Sequence, residues 1–324
     1  MKKEARSLIL IALLAIGVTV SANPSGRTTN ALPGTRDEIE KSFHVRSGGT
    51  LKFDADFGNA EIITADTDTV RIEFIREFKV STAAEANELR QKLTVEMGQT
   101  DLTGTNADEN IVKVTVRLAD DRSGDNRRKM RLDFRITMPK KFNVDLRACN
   151  ATVGDLDGTV IARTVGGDLK LGNVTGPVTA RSEGGNLNIG DVGGDLEARS
   201  EGGNTEASHV KGRVVATAEG GNVTIEEATD SIEARTAGGS VKAWISKQPR
   251  GNSKITAEAG NIDLRLNASV AVNVDAACTA GRLSSDFSLN GHQLDNPGRL
   301  KSAINGGGPL VMLRASAGNI NLRK

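Results

Sequence analysis

The chain has 324 residues, 42 Lys plus Arg against 41 Asp plus Glu, and a formal net charge of +1, which excludes the broad basic field of a nucleic-acid binder. Aromatic residues make up 3%, with 8 Phe, 1 Trp and no Tyr, while Gly numbers 36, so small aliphatic side chains must fill a thin, regular core. Two Cys exclude a disulfide framework and a four-Cys zinc site.

The chain opens with Lys2, Lys3 and Arg6, an apolar run from Leu8 to Val20, and then Val20-Ser21-Ala22. A basic start, a short apolar stretch and a small-residue site are the order of a secretory signal peptide. The run is shorter than the ~20 apolar residues of a membrane span. Cleavage after Ala22 is the expectation, with an uncleaved anchor as the alternative, and the protein is expected to be exported, to the periplasm or to the cell surface and medium. Residues 23–47 read as a flexible leader. Residues 48–143 read as an N-terminal β region containing strands such as Val70–Phe78 and Ile111–Leu118. Between them Ser81–Leu93, STAAEANELRQKL, has helix-forming density behind a Ser/Thr cap and predicts one short inserted helix.

From 144 to 324 the dominant signal is internal repetition. Gly-Gly recurs at 166–167, 184–185, 202–203, 220–221 and 238–239, 18 residues apart each time. Each dyad sits between short alternating segments, as in VTARSEGGNLNIGDVGGD, and alternation is the strand period. Gly reaches positive φ without a steric penalty, so each dyad is expected to be a sharp corner between two strands. Aligned units form columns: Val160, Val178, Leu196, Val214, Ile232; then Ala162, Ala180, Ala198, Ala216, Ala234; then Thr164, Ser182, Ser200, Ala218, Thr236. Weaker copies stand at 51–62, 274–283 and 311–320, and copies with a corner shortened by two residues at 144–151 and 255–262. One unit cannot bury such a face, but a stack can. The expected fold is all-β: a single-chain β-solenoid, a β-helix taken as right-handed, of about 18 residues per coil, continuous with the region before it. The stretch 289–308 reads as loop, with Asn296-Pro297-Gly298 and Gly306-Gly307-Gly308.

Units of the form (V/L)xAR(S/T)xGG(N/D)(L/V)x(I/L), preceded by RLDFRITMPKKFNVDL, resemble the bacterial putative-adhesin family of unknown function with Gly-punctuated β-strand repeats. The resemblance covers roughly residues 48–324. It implies an envelope-associated role and no catalytic residues.

Catalytic signatures are missing: there is no HExxH, GxSxG or Walker loop. The histidines are His44, His209 and His292, and His209 takes an outward slot held by Asn173, Asp191 and Glu227 in other units. The acidic pairs Asp54/Asp56, Asp66/Asp68 and Asp155/Asp157 each share a strand face, which would suit a carbohydrate-active enzyme, although acidic turn residues are commoner. Cys278 falls in the inward Ser/Thr column and Cys149 at a corner several coils away, too far for a disulfide. The most distinctive outward feature is a row of Arg163, Arg181, Arg199 and Arg235, interrupted by Thr217 and repeated at Arg314, with Glu183, Glu201 and Glu219 in a second row. The row is either a solvated, compensated face or a guanidinium track for carboxylates or phosphates of an extended polymer. Trp244 lies just past a strand end, where it could stack on a sugar.

The sequence-based expectation is a non-enzymatic, adhesin-like binding module of the cell envelope, with polysaccharide or an anionic polymer as partner, no cofactor, no metal, no nucleic acid and no stable membrane insertion after signal cleavage. The alternative is a structural protein that self-associates through open solenoid ends, since the repeat runs nearly to Lys324. A carbohydrate-active enzyme ranks third.

Overall fold

The computed structural model describes residues 35–100, 110–119, 124–287 and 298–324. The expected signal peptide, residues 23–34 of the expected leader, and His292 lie outside the described residues.

Two long sheets of 13 strands each, A and B, face one another across a continuous apolar core. Each coil contributes one strand to sheet B, then turns a corner and contributes one to sheet A. The dyad-bearing coils are Val160–Thr164 with Leu169–Leu171, Val178–Ser182 with Leu187–Ile189, Leu196–Ser200 with Thr205–Val210, Val214–Ala218 with Val223–Ala228, and Ile232–Thr236 with Val241–Ile245. Neighbouring strands pair in parallel, with Val160 against Val178, Ala162 against Ala180 and Thr164 against Ser182, so the sequence columns are physical columns. Burial alternates along the strands, with Val160, Ala162 and Thr164 inside and Ile161 and Arg163 outside. This is the solenoid that the periodicity predicts.

Ala162 faces Leu146, Leu146 faces Phe53 and Phe53 faces Val114. The coils thus widen toward the N-terminal end, and the aromatics gather there. Phe134 stacks on Phe74 with centroids 4.5 Å apart and meets Phe53 edge-on at 5.0 Å. Strands Thr50–Ala55 and Asn59–Ala65 stack directly on Asn143–Ala148 and Asn150–Val153, which joins the N-terminal β region to the repeats. The inserted helix runs Ala83–Lys92 with Thr82 as its cap, its hydroxyl accepting from the Glu85 N–H at 3.2 Å. A second helical turn, Asp125–Arg128, has no counterpart in the sequence expectation.

The dyads owe their glycines to something other than positive φ. Of the ten dyad residues only Gly166 has it, at 92°. At the second position of each dyad the coils approach too closely for any side chain. A Cβ on Gly221 would lie 2.4 Å from the Gly203 carbonyl oxygen, and one on Gly203 would lie 2.4 Å from that of Gly185. Beside this contact runs a side-chain ladder. The Asn204 amide oxygen accepts the Asn222 N–H at 2.8 Å, and the Asn186 oxygen accepts the Asn204 N–H at 2.9 Å. The inward hydroxyls serve the same corner: Ser200 Oγ donates to the Gly185 carbonyl and accepts the Gly203 N–H, both at 2.9 Å. These hydroxyls are thereby satisfied by neighbours in the stack, whereas Thr164 Oγ1, which faces Ala148 beside the shortened corner, is buried without a partner among the described residues.

Several local expectations change. The leader does not extend to 47: Arg36–His44 is a strand antiparallel to Thr69–Phe78, tied by the ion pairs Arg36–Glu77 at 2.9 Å and Arg76–Asp37 at 2.6 Å. The corner at 255–262 is full length, because both of its strands lie 21 residues beyond their partners, as the Ile232 N–H to Ser253 Oγ and Asn261 N–H to Ser240 Oγ bonds show. The three extra residues precede the coil, where Asp230 turns inward to meet Arg250. Within 289–308, Arg299–Ile304 is a strand rather than loop, and residues 289–297 lie outside the described residues.

The stacking order at the C-terminal end also differs from chain order. The last coil, Leu310–Ala317 with Ile320–Arg323, lies between Ser253–Ala257 with Ile262–Leu266 on one side and Val272–Ala280 with Leu283–Ser285 on the other. Lys324 therefore does not mark the end of the stack. Sheet B ends there on Arg299–Ile304, antiparallel to Val272–Ala280. At the opposite end sheet A closes on Arg36–His44 and sheet B on Leu93–Gln99, both antiparallel. These outer strands carry charged side chains such as Asp37, Glu38, Lys41, Glu96 and Lys301, a common way of discouraging further strand addition.

Candidate functional site

Sheet B positions the Arg row. Its strands are parallel and in register, so Arg163, Arg181 and Arg199 face one another in adjacent coils, followed by Thr217, Arg235, Thr256 and Arg314. Sequence reading missed one member: Arg147 pairs with Arg163. The shortened corner after Arg147 hid it by displacing the Gly-Asn signal that anchors the alignment.

Most of these guanidiniums are already engaged. Arg181 meets Glu197 at 2.8 Å, Arg199 meets Glu219 at 3.0 Å, Arg235 meets Glu258 at 2.7 Å and Arg314 meets Asp275 at 3.0 Å. Arg147 lies 3.4 Å from both Asp54 and Asp56. Arg163 has no ion pair among the described residues. Beside it stands Ile161, an exposed large apolar side chain at 56%. Lys52, Lys113, Arg147, Ile161, Arg163 and Arg181 line a shallow groove of about 510 Å³. Cations outnumber carboxylates there, since only Asp54 and Asp145 join them.

Asp54, Asp56 and Asp155 are engaged in contacts within the stack. Asp54 and Asp56 both face Arg117 and Arg147. Partial burial pushes the Asp54 carboxyl up, but the Arg117 and Arg147 guanidiniums outweigh it and hold the group below the usual carboxylate range. Asp155 spends its side chain on the Asn173 N–H at 2.7 Å. Asp66 and Asp68 flank the turn before Thr69–Phe78. No cluster of three or more His, Cys, Asp or Glu suited to a metal occurs among the described residues.

His209 sits where the columns place it, opposite Glu227 in the row that includes Asp191. Its Nδ1 is 2.7 Å from Asp191 and its Nε2 is 3.7 Å from Glu227. The Asp191 hydrogen bond raises its pKa, with the nearby carboxylates adding to the effect. Both Cys149 and Cys278 are free, and Cys278 is buried opposite Ala315. Trp244, on sheet A, carries the Arg265 guanidinium over its ring, 4.9 Å from the centroid.

No helix among the described residues is long and apolar enough to cross a membrane. No curated protein matches the chain. Solved structures do. One described as a putative adhesin from Bacteroides fragilis is 13% identical, covers 89% of this chain and 96% of its own, and has a TM-score of 0.38. Another so described, from Parabacteroides distasonis, is 10% identical over 89% and 98%, with a TM-score of 0.36. A putative cell adhesion protein from Clostridium sporogenes is 13% identical over 89% and 99%, with a TM-score of 0.21. The family model described as Toastrack DUF4097 matches residues 50–323, and the chain belongs to that family.

Proposed function

We propose that the protein is an exported, non-enzymatic binding module of the cell envelope, and that the Arg163 end of sheet B holds an anionic polymer, with envelope polysaccharide as the favoured ligand. The observation that carries this reading is the unpaired Arg163 guanidinium beside exposed Ile161, in a groove where five cations meet two carboxylates. A planar guanidinium presents paired donors to a carboxylate or phosphate, and its neighbour offers an apolar shelf for the ligand's carbon framework. The paired states of Arg181, Arg199 and Arg235 narrow the track expected from the sequence. An incoming polymer must displace Glu197, Glu219 or Glu258 to reach them, while Arg163 and the groove beside it are open.

Co-sedimentation with peptidoglycan and purified envelope polysaccharides, at low and high salt, tests the proposal. Arg163→Gln should abolish salt-sensitive binding, whereas Arg235→Gln should leave most of it. Binding that ignores both salt and Arg163→Gln would overturn the assignment, as would no binding at either salt.

A further inference from the structure

Sheet A carries a second recessed surface, remote in chemistry from the Arg row. Two adjoining grooves, of about 320 and 660 Å³, share Thr224 and Glu226 and so form one trough. Its outward row runs through Lys170, Asn188, Glu206, Thr224, Lys242 and Asp263, one residue per coil. At ~4.8 Å per strand this row spans about 24 Å. The next position in each coil is small at one end, with Gly190 and Ser208, and large at the other, with Trp244 and Arg265.

Trp244 lines the larger of the two grooves. The strand beside it bulges: Ile225 pairs with Ala243 and Ala228 with Ile245, so Glu226 and Glu227 together oppose Trp244. Bulges next to binding sites re-aim side chains. The Arg265 guanidinium stacks on the indole, and Arg265 Nε donates to the Lys324 carbonyl at 3.2 Å, which braces the ring. The indole Nε1 is buried without a hydrogen-bond partner among the described residues. Arg323 is held by Asp263 at 2.7 Å, while Lys242 has no ion pair among the described residues.

From this geometry we infer that the sheet A trough is a second binding site, taking an extended uronic-acid-type oligosaccharide with a carboxylate-bearing sugar against Trp244 and Lys242. Amide, hydroxyl, carboxylate and ammonium groups repeat along the trough at the coil spacing, and a polyol both donates to and accepts from such a series. Arg265 takes one face of the indole, and the other supplies a flat apolar surface for a pyranose. Lys242 pairs with the sugar's acid, while Glu206 and Glu226 disfavour any polyanion, so the ligand carries a single acid among neutral sugars. This site is independent of the Arg163 groove.

Trp244 is the one tryptophan in a chain without tyrosine, so intrinsic emission reports on this site alone. The test titrates the protein with a xylo-oligosaccharide bearing a single glucuronic acid, reading affinity by calorimetry and location by Trp244 emission. A saturable emission change is expected, and Lys242→Gln and Ser208→Phe should each weaken binding by about tenfold or more. Arg163→Gln should leave the titration unchanged, which separates this site from the one on sheet B. Far-UV circular dichroism checks that each variant keeps its fold. Heat without an emission change, no binding at all, equal binding of a neutral cello-oligosaccharide or of polyphosphate, or normal binding by folded Ser208→Phe would each overturn the inference.

Discussion

The glycine at the second place of each dyad gives the sharpest test of how the solenoid is held together. In Gly221→Ala the new methyl would sit 2.4 Å from the Gly203 carbonyl oxygen, 2.6 Å from its carbonyl carbon and 2.8 Å from the Asn204 nitrogen. These are backbone atoms of the coil below, so no side chain can swing away. Relief requires the two coils to part, which stretches the Asn222 N–H to Asn204 bond of 2.8 Å and the strand pairing on both sides of the corner. Overpacking of this kind costs about 1–3 kcal/mol, and weakening one neighbouring hydrogen bond adds about 1 kcal/mol. A loss of about 2–4 kcal/mol follows. The first glycine of the same dyad provides the contrast, since a Cβ on Gly220 would meet the Gly202 carbonyl oxygen at 3.0 Å. Gly220→Ala should cost about 1 kcal/mol, because small local adjustment relieves it. Gly98, in the outer strand Leu93–Gln99, has nothing within 4 Å of where an added methyl would stand, and no positive φ. Alanine there should stabilise by about 0.5–1 kcal/mol, since glycine in a strand interior loses more entropy on folding. Urea unfolding followed by circular dichroism ranks the three. The reasoning fails if Gly221→Ala lies within about 0.5 kcal/mol of the parent, or if it costs no more than Gly220→Ala.

Two further changes probe other parts of the stack. Ala218 occupies the inward hydroxyl column, so Ala218→Ser should supply the corner bonds that Ser200 and Thr236 make and stabilise by about 0.5–1 kcal/mol, while Ser200→Ala should destabilise by a similar amount in the same urea assay. Asp230 is 8% exposed and accepts hydrogen bonds from the Arg250 side chain and from the Arg250 and Ser231 N–H groups. Burial pushes its carboxyl up, yet those donors prevail and its pKa is lowered. A lowered folded-state pKa means that the group's contribution is complete above the unfolded value of about 3.9 and is lost as pH falls through the folded value. Asp230→Asn should therefore destabilise by about 1–3 kcal/mol at neutral pH and flatten the loss of stability below about pH 4, which thermal melts across acid pH would detect.

Much of the fold is legible in the residues, and the reason is that a solenoid is nearly one-dimensional. Each coil contacts its neighbours in register, so Val160, Val178 and Leu196 repeat one environment and the sequence repeats with them. The same logic placed Arg163, Arg181, Arg199 and Arg235 on one outward row, and put His209 opposite Glu227. What repetition could not disclose was the ion pairing of that row. The pairing of Arg181 with Glu197 but Arg199 with Glu219 depends on rotamers and on which diagonal carboxylate is nearer. The sheet A trough escaped for a related cause: its floor of Gly190 and Ser208 leads to Trp244 only across the bulge at Glu226 and Glu227.

The sequence by itself determined the coil: its length, its corner, its inward columns and its two outward faces, because these follow from alternation and from where only glycine fits. The tertiary structure decided the order of the stack and its ends. Pattern marks 310–323 as a coil but says nothing of its neighbours, and the chain places it between coils 253–266 and 272–285 because the turn at 305–309 lets it double back. That turn holds Asn305, Gly306 and Gly307, all at positive φ. Arg36–His44 became a strand for the same kind of reason. Its own residues are mostly charged, and only the exposed edge of Thr69–Phe78, with Arg71 and Arg76 placed to meet Glu40 and Asp37, gives it backbone partners and charges to pair with.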